Sequence, residues 1–240
     1  MILRRARIVG FCSIIFLYHF CHATPLTVSG RVVIQRAQES AGRQSRFDNS
    51  KVVVWLTPIA PLQDPMRQTA APQRLIQKNK SFVPGLLVVP VGSSIEFPNQ
   101  DPFFHNVFSL YSGRRFDLGL YEAGSSRAVK FDREGVSYIF CNIHPEMHAV
   151  VIALGTPLFA VSDATGAFRI PDVPAGRYVM HVWYERAAPA MLHSLDQEVT
   201  ISAQRTELPL VQVNEAPELS AEHKNKFGKD YDRTPATTLY

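Results

Sequence analysis

The middle of the chain reads Lys80-Ser-Phe-Val-Pro-Gly-Leu-Leu-Val-Val-Pro-Val-Gly-Ser-Ser-Ile-Glu-Phe-Pro-Asn-Gln-Asp101. Short apolar segments alternate here with Pro and Gly, and residues 86–91 form a run rich in Val and Leu. Runs of this length that turn residues separate indicate strands of a sheet. The stretch leads directly into Phe103-Phe-His-Asn-Val-Phe108, so we expect His105 to stand at the start of a further strand.

Runs of the same kind recur along almost the whole chain. They occupy residues 27–34, 52–56, 86–91, 105–110, 128–131, 136–141, 149–154, 158–161, 167–170, 178–184, 198–201 and 208–213. No amphipathic helix of ordinary length interrupts them before the tail. This spacing of short strands and turns predicts an all-β protein of antiparallel sandwich architecture.

Three polar or irregular segments interrupt the series. Residues 38–50 are polar and read as a loop, and residues 57–72 carry four Pro, which predicts an irregular connector. The tail, residues 214–240, is mixed in charge and poor in apolar residues. We expect it to be a surface appendage or partly disordered, with at most a short helix near residues 218–226.

A second segment, Phe140-Cys-Asn-Ile-His-Pro-Glu-Met-His148, holds a thiol, an imidazole and a thioether within seven residues. His105 can supply a second imidazole. Two His and one Cys in a plane with a weak axial Met are the ligands of a blue-copper electron-transfer site. The candidate metal ligands are therefore His105, Cys141, His144 and Met147.

Each of these side chains also has a structural explanation. A lone Cys is most often a packing residue, and Met147 alone would be core filling. His144 and His148 are four residues apart, as in a helical zinc pair. Pro145 and the β-rich run that follows argue against a helix there, so we expect His148 to begin the closing strand and not to be a ligand.

The pattern from residue 77 to residue 154 resembles the cupredoxin family, in particular plastocyanin, pseudoazurin and amicyanin. The shared features are a Phe-x-Pro strand, a Val-x-x-Gly turn, a Phe-x-Asn-x-Asp strand end and a His-Asn-Val that carries the first copper ligand. The short Cys-x-x-His-x-x-Met spacing is similar to that of amicyanin. The resemblance implies one type 1 copper bound by His105, Cys141, His144 and Met147, with Asn106 tying the two ligand loops together. The chain departs from the family at Phe140 and in a longer insert over residues 111–126.

The last third of the chain carries another resemblance, in Phe159-Ala-Val-Ser-Asp-Ala-Thr-Gly-Ala-Phe-Arg-Ile-Pro-Asp-Val-Pro-Ala-Gly-Arg-Tyr-Val-Met-His-Val-Trp183. It is similar to the carboxypeptidase regulatory-like β-sandwich. The strands that precede this motif in such domains match residues 29–33 and 51–56 at the front of the chain. We therefore expect residues 26–58 and 156–213 to form one discontinuous sandwich, with the cupredoxin domain, residues 73–155, inserted into it. In the alternative, the front strands extend the cupredoxin sheet.

The N-terminus has the features of a signal peptide. Arg4, Arg5 and Arg7 precede the apolar residues 8–20, which are too few to span a bilayer, and Ala23 supplies a small residue for cleavage. We expect residues 1–23 to be removed and the protein to be exported, for example to the periplasm, without a permanent membrane anchor. The mature chain then keeps Cys141 as its single Cys, and a metal would protect that sulfur in an oxidising compartment.

Net charge excludes one class of partner. The full chain carries 25 basic and 21 acidic residues, or +4, and loss of the three leader Arg leaves 22 minus 21, or +1. No basic field for nucleic acid is present.

The sequence thus predicts an electron carrier that exchanges single electrons with protein donors and acceptors and is not an enzyme. Two other classes stay open: a copper carrier or sensor, and a metal-free structural module. Proteins labelled methylamine utilisation proteins are similar in their two-part organisation.

Overall fold

A computed structural model describes residues 24–36, 48–61, 73–110, 113–216 and 225–229 of the chain. In chain order the elements are β1 (Leu26–Gln35), β2 (Val53–Pro58), β3 (Gln73–Arg74), β4 (Ile76–Lys78), β5 (Ser81–Val83), β6 (Leu86–Pro90), β7 (Ser94–Pro98), β8 (His105–Ser109), β9 (Phe116–Tyr121), β10 (Ser126–Lys130), β11 (Gly135–Phe140), β12 (His148–Leu154), β13 (Phe159–Val161), β14 (Ala167–Val173), β15 (Gly176–Trp183), the short helix α1 (Pro189–Ser194), β16 (Gln197–Ile201) and β17 (Val211–Asn214). The predicted all-β fold is confirmed. Among these residues no helix has the length and apolar character needed to cross a membrane. The predicted leader, residues 1–23, lies outside the described residues.

The strands between β3 and β12 form two sheets that pack on one core. One sheet has the order β10-β7-β3, and the other has the order β6-β12-β11-β8-β9. Side chains from both sheets meet between them, including Phe97 of β7, Ile139 of β11 and Val151 of β12, all fully buried. The hairpin β4–β5 lies beside this sandwich, and its strand β4 contacts β7.

The front strands of the chain pair with its last third. Strand β1 lies between β14 and β17, and β2 lies between β13 and β15. The register places Gly30 opposite Phe168 and Leu56 opposite Met180. Within the described residues, neither β1 nor β2 pairs with a strand of the first sandwich. These two sheets enclose a second core that includes Val28, Val54 and Phe168.

Strand β12 belongs to both cores. Successive residues of a strand point to opposite faces of its sheet, and here Ala149, Val151 and Ala153 face the first core. Val150, Ile152 and Leu154 face the second core. The outer face of the first sandwich is therefore buried against the second one, which explains the unbroken apolar run of β12.

Each run expected from the sequence overlaps a strand, but the pairing differs in one respect. Three pairs are parallel, namely β1 with β17, β3 with β7 and β6 with β12, so the arrangement is not purely antiparallel. Parallel neighbours need long crossover connections, and here the partners come from distant parts of the chain. Strand β9 lies inside the expected insert, residues 111–126. The helix expected near residues 218–226 falls mostly outside the described residues, and residues 226–227 form a turn.

The turn between β13 and β14 gives a test of this packing. Gly166 has φ +84°, and a Cβ there would lie 2.0 Å from the carbonyl oxygen of Val32 on β1. Gly124 has a similar φ of +76°, but a Cβ there would meet nothing within 4 Å. We expect Gly124→Ala to cost about 1 kcal/mol of unfolding free energy. Gly166→Ala should cost about 1–3 kcal/mol more, because rigid backbone stands in the way.

Urea unfolding of the two variants measures this difference. Equal losses in Gly166→Ala and Gly124→Ala would contradict the close approach of β1 to the β13–β14 turn.

Candidate metal centre

The three strongest ligand candidates come together at one end of the first sandwich. His105 is the first residue of β8, Cys141 follows the last residue of β11, and His144 lies in the loop that leads to β12. Pairing of β11 with β12 ends at Phe140 and His148, so residues 141–147 close a hairpin. Its turn is held by hydrogen bonds from the Cys141 amide to the Met147 carbonyl (3.2 Å) and from the Met147 amide to the His144 carbonyl (3.0 Å).

The distances fit a single metal ion. Nδ1 of His105 lies 3.7 Å from Sγ of Cys141, and Nδ1 of His144 lies 3.6 Å from the same sulfur. The ligand atoms of the three residues all lie within 4.8 Å of one another. Metal bonds of about 2.0–2.3 Å in a trigonal plane separate the ligand atoms by roughly 3.5–4 Å. The donor set, two nitrogens and one sulfur, suits copper.

Met147 and His148 differ in their surroundings. The Met147 side chain is fully buried in the core that also contains Cys141. His148 is exposed, and its Nδ1 lies 3.4 Å from the carbonyl oxygen of Glu146. Residues 141–147 contain no helix, so His144 and His148 do not form the helical pair that a zinc site of that type needs.

The surroundings of Cys141 and His144 favour the uncharged forms of these two side chains. Burial raises the pKa of the Cys141 thiol, although backbone N–H groups of Asn106, Ile143 and His144 act in the opposite direction. Burial also lowers the pKa of His144, and electrostatic interactions with His105 and Lys80 add to this shift. A neutral imidazole is the form that binds a metal, whereas the thiol has to lose its proton on binding.

Asp101 is a candidate functional residue that was not predicted from the sequence. Its carboxylate is buried and accepts hydrogen bonds from the amides of Asn79 (2.6 Å) and Lys80 (2.9 Å), and its Oδ2 lies 2.8 Å from Nε2 of His105. Burial raises the pKa of Asp101, but the hydrogen bonds from Lys80, His105 and Asn79 outweigh burial, so the pKa is lowered. The charged carboxylate keeps a proton on Nε2 and leaves Nδ1 of His105 facing the sulfur.

The turn whose amides donate to the Asp101 carboxylate has an uncommon backbone conformation. Asn79 and Lys80 both have positive φ, 53° and 52°, without being Gly. This conformation points two successive amides at one carboxylate. The acidic residue four positions before His105 was a visible signal, but the turn that binds it could not be located from the sequence.

Asn106 was expected to tie the two ligand loops together. Its backbone N–H points at Sγ of Cys141. Its side-chain Nδ2 donates to Oδ1 of Asp117 on β9 (2.7 Å), and its buried Oδ1 has no hydrogen-bond partner among the residues that the structure describes. The side chain therefore bonds to the insert rather than to the loop after Cys141.

One edge of the centre reaches the surface. His144 is half-buried, and Phe103 packs against both imidazoles, with ring centroids 5.1 Å from His105 and 5.7 Å from His144. The neighbouring side chains Phe104 and Ile143 are exposed by 56% and 45%. The apolar side chains of Phe103 and Ile143 thus lie beside His144, the most accessible ligand candidate.

Comparisons with known proteins found similar solved structures. No family model and no curated protein matches the chain. A purple cupredoxin from Nitrosopumilus maritimus aligns at 23% identity over 34% of this chain and 99% of its own, with a TM-score of 0.31. A reduced amicyanin variant aligns at 19% identity over 42% of this chain and 99% of its own, with a TM-score of 0.32.

A larger copper protein also aligns. The chain is 20% identical to a copper-containing nitrite reductase from Thermus scotoductus, over 50% of this chain and 28% of that one, with a TM-score of 0.34. The chain thus spans less than a third of the nitrite reductase.

Proposed function

We propose that this protein is an exported type 1 copper protein that transfers single electrons between protein partners. The observation that carries the proposal is the convergence of His105, Cys141 and His144 within 4.8 Å at the end of a β-sandwich. We propose the same three side chains and the buried thioether of Met147 as the copper ligands. When bound, copper supplies a couple between Cu(I) and Cu(II) that needs no substrate and no proton transfer.

The scaffold is suited to that chemistry because it holds the ligands in place. His105 is fully buried at the start of a strand whose five residues are all buried. Cys141 lies directly after β11, which pairs with β12 along its whole length. Sulfur favours Cu(I) and imidazole also suits Cu(II), so a rigid mixed site accepts both states with little rearrangement. The proposed role is that of an electron carrier and not of an enzyme.

We further propose a discontinuous organisation. Residues 26–58 and 156–213 would form a regulatory-like sandwich, and residues 73–155 would form the cupredoxin domain inserted into it. Pairing of β2 with β15 and of β1 with β14 supports this division. The first core supports it as well, because its residues all lie between positions 75 and 153.

Electrons would enter and leave through His144. This imidazole is half-buried, in contrast to the fully buried His105, and Ile143 beside it is exposed. A redox partner would dock on the apolar surface around it. Cleavage of residues 1–23 would deliver the protein to the periplasm or another exported location.

Addition of Cu(II) to the protein without residues 1–23 tests the proposal. We expect one copper per chain, an intense blue thiolate-to-copper absorption band and reversible reduction. Binding with a weak band and rapid transfer to a chelator would instead indicate a carrier or sensor. A lack of stoichiometric binding would leave a structural module and overturn the proposal.

Variants at Met147 test its role as the axial ligand. The reduction potential of a blue-copper site depends on the axial ligand, and an oxygen donor stabilises Cu(II) more than a thioether does. We expect Met147→Gln to lower the potential and Met147→Leu to raise it, with the blue band retained in both. Voltammetry of the two variants measures the shifts, and identical potentials would contradict an axial role.

A further inference from the structure

The C-terminal residues Asn225–Lys229 form a turn that is held by its own hydrogen bonds. Oδ1 of Asn225 accepts from the amides of Phe227 (3.0 Å) and Lys229 (3.1 Å). The Asn225 carbonyl accepts from the Gly228 amide, and the Asn225 amide donates to the Lys229 carbonyl, each at 2.9 Å. This segment, which we name the C-terminal turn, therefore has a defined shape.

The C-terminal turn contacts the loop that carries the candidate ligands. The backbone amide of Lys226 donates to Oδ1 of Asn142 at 3.0 Å, across 84 positions of sequence. Asn142 directly follows Cys141 and lies two residues before His144. The contact is partly buried. The turn thus touches the loop between two candidate ligands.

The side chain of Lys226 contacts β9, the strand that pairs with the His105 strand β8. Nζ of Lys226 lies 2.9 Å from Oδ2 of Asp117 on β9. Oδ1 of Asp117 accepts from Nδ2 of Asn106 (2.7 Å) and from the amide of Gly119 (2.9 Å). Asn106 directly follows His105. A chain of hydrogen bonds therefore runs from the residue after Cys141, through Lys226 and Asp117, to the residue after His105.

We propose that Lys226 is a positioning residue of the metal centre, linking the Cys141–His144 loop to the His105 strand through Asn142, Asp117 and Asn106. The proposal rests on the proposed copper function of the same site. The side chain of Asn106 was expected to make this link directly, but it bonds to Asp117, and the C-terminal turn completes the connection. Within the tail, the described residues 225–229 thereby contact the surroundings of the centre.

The electrostatics of Asp117 agree with this arrangement. Burial raises the pKa of Asp117, but hydrogen bonds from Lys226, Gly119 and Asn106 outweigh burial, and the pKa is lowered. The carboxylate is therefore charged when it meets the ammonium group. An ion pair whose partners make further hydrogen bonds is held in one geometry more firmly than an isolated surface ion pair.

Four single variants of the leaderless protein separate this role from a general effect of charge. Lys226→Met removes the ammonium group, and Asn142→Ala removes the acceptor on the loop. Lys226→Arg keeps the charge. Lys229→Met removes a charge from the same turn but leaves both contacts intact, and it serves as the matched control.

The first measurement is the rate of copper release to a Cu(I) chelator, together with the position and intensity of the blue band. We expect Lys226→Met and Asn142→Ala each to release copper about two- to fivefold faster than the control and to shift the band. Lys226→Arg should restore both properties. Release rates and spectra of Lys226→Met and Asn142→Ala that equal those of Lys229→Met would overturn the proposal.

The second measurement needs no copper, so it distinguishes failure of this proposal from failure of the proposed function. Hydrogen exchange of the amides of residues 141–147 is followed in the metal-free protein. We expect faster exchange in Lys226→Met and Asn142→Ala than in Lys229→Met. Unchanged exchange would overturn the positioning role, even if the wild-type chain binds no copper.

Discussion

Replacement of Cys141 by Ser is expected to abolish the blue absorption band of the copper-loaded protein. The band needs a thiolate bonded to copper, and the structure places one sulfur within 3.7 Å of both imidazole nitrogens. A serine hydroxyl is a harder donor that stays protonated at neutral pH. We expect copper affinity to fall by at least the roughly 10–100-fold loss that follows removal of a supporting group around the ligands.

His148→Ala is the matched control for this experiment. His148 is four residues from His144 but exposed and outside the cluster, so its removal should leave the band unchanged. A band that survives in Cys141→Ser, or that disappears in His148→Ala, would contradict the ligand assignment.

The second large effect is expected for Asp101→Asn. This change replaces a charged acceptor by a neutral amide at a position where three N–H groups converge. Hydrogen bonds to a buried charge contribute about 1.5–3 kcal/mol each, so we expect a loss of roughly 2–4 kcal/mol of unfolding free energy in the metal-free protein. Copper affinity should fall by about 10–100-fold, because the tautomer and orientation of His105 are no longer imposed.

The reduction potential gives a readout that loss of stability alone would not change. Removal of a negative charge beside His105 destabilises Cu(II) relative to Cu(I), so the potential of Asp101→Asn should rise. Asp132→Asn removes the same charge from an exposed carboxylate paired with Arg114, and it should leave the potential unchanged. Equal potentials in the two variants would contradict a role for Asp101 at the metal.

The local part of the centre could be predicted from the sequence because its members are close along the chain. Cys141, His144 and Met147 lie within one hairpin loop, so their spacing alone indicates a shared site. His105 could be added because a characteristic strand pattern precedes it. The apolar run of β12 was also recognisable as a strand, although its two faces bury different cores.

The distant supports of the centre could not be predicted in the same way. Asp101 depends on a turn with positive φ at residues 79 and 80. Asn tolerates this conformation, but Lys80 does not indicate it, and neither residue identifies Asp101 as the partner of the turn. Lys226 reaches Asn142 across 84 positions, from a tail whose composition suggested an appendage. Strand β9 escaped notice because its burial does not alternate and Gly119 interrupts it with a φ of +66°.

The proposed function requires that the centre exchanges electrons without losing its metal. The most direct test is voltammetry of the copper-loaded, leaderless protein over many reduction and oxidation cycles, with copper content measured before and after. We predict one reversible one-electron wave and an unchanged ratio of one copper per chain. Progressive loss of copper on reduction, or no reversible wave from a fully loaded protein, would contradict the electron-transfer function.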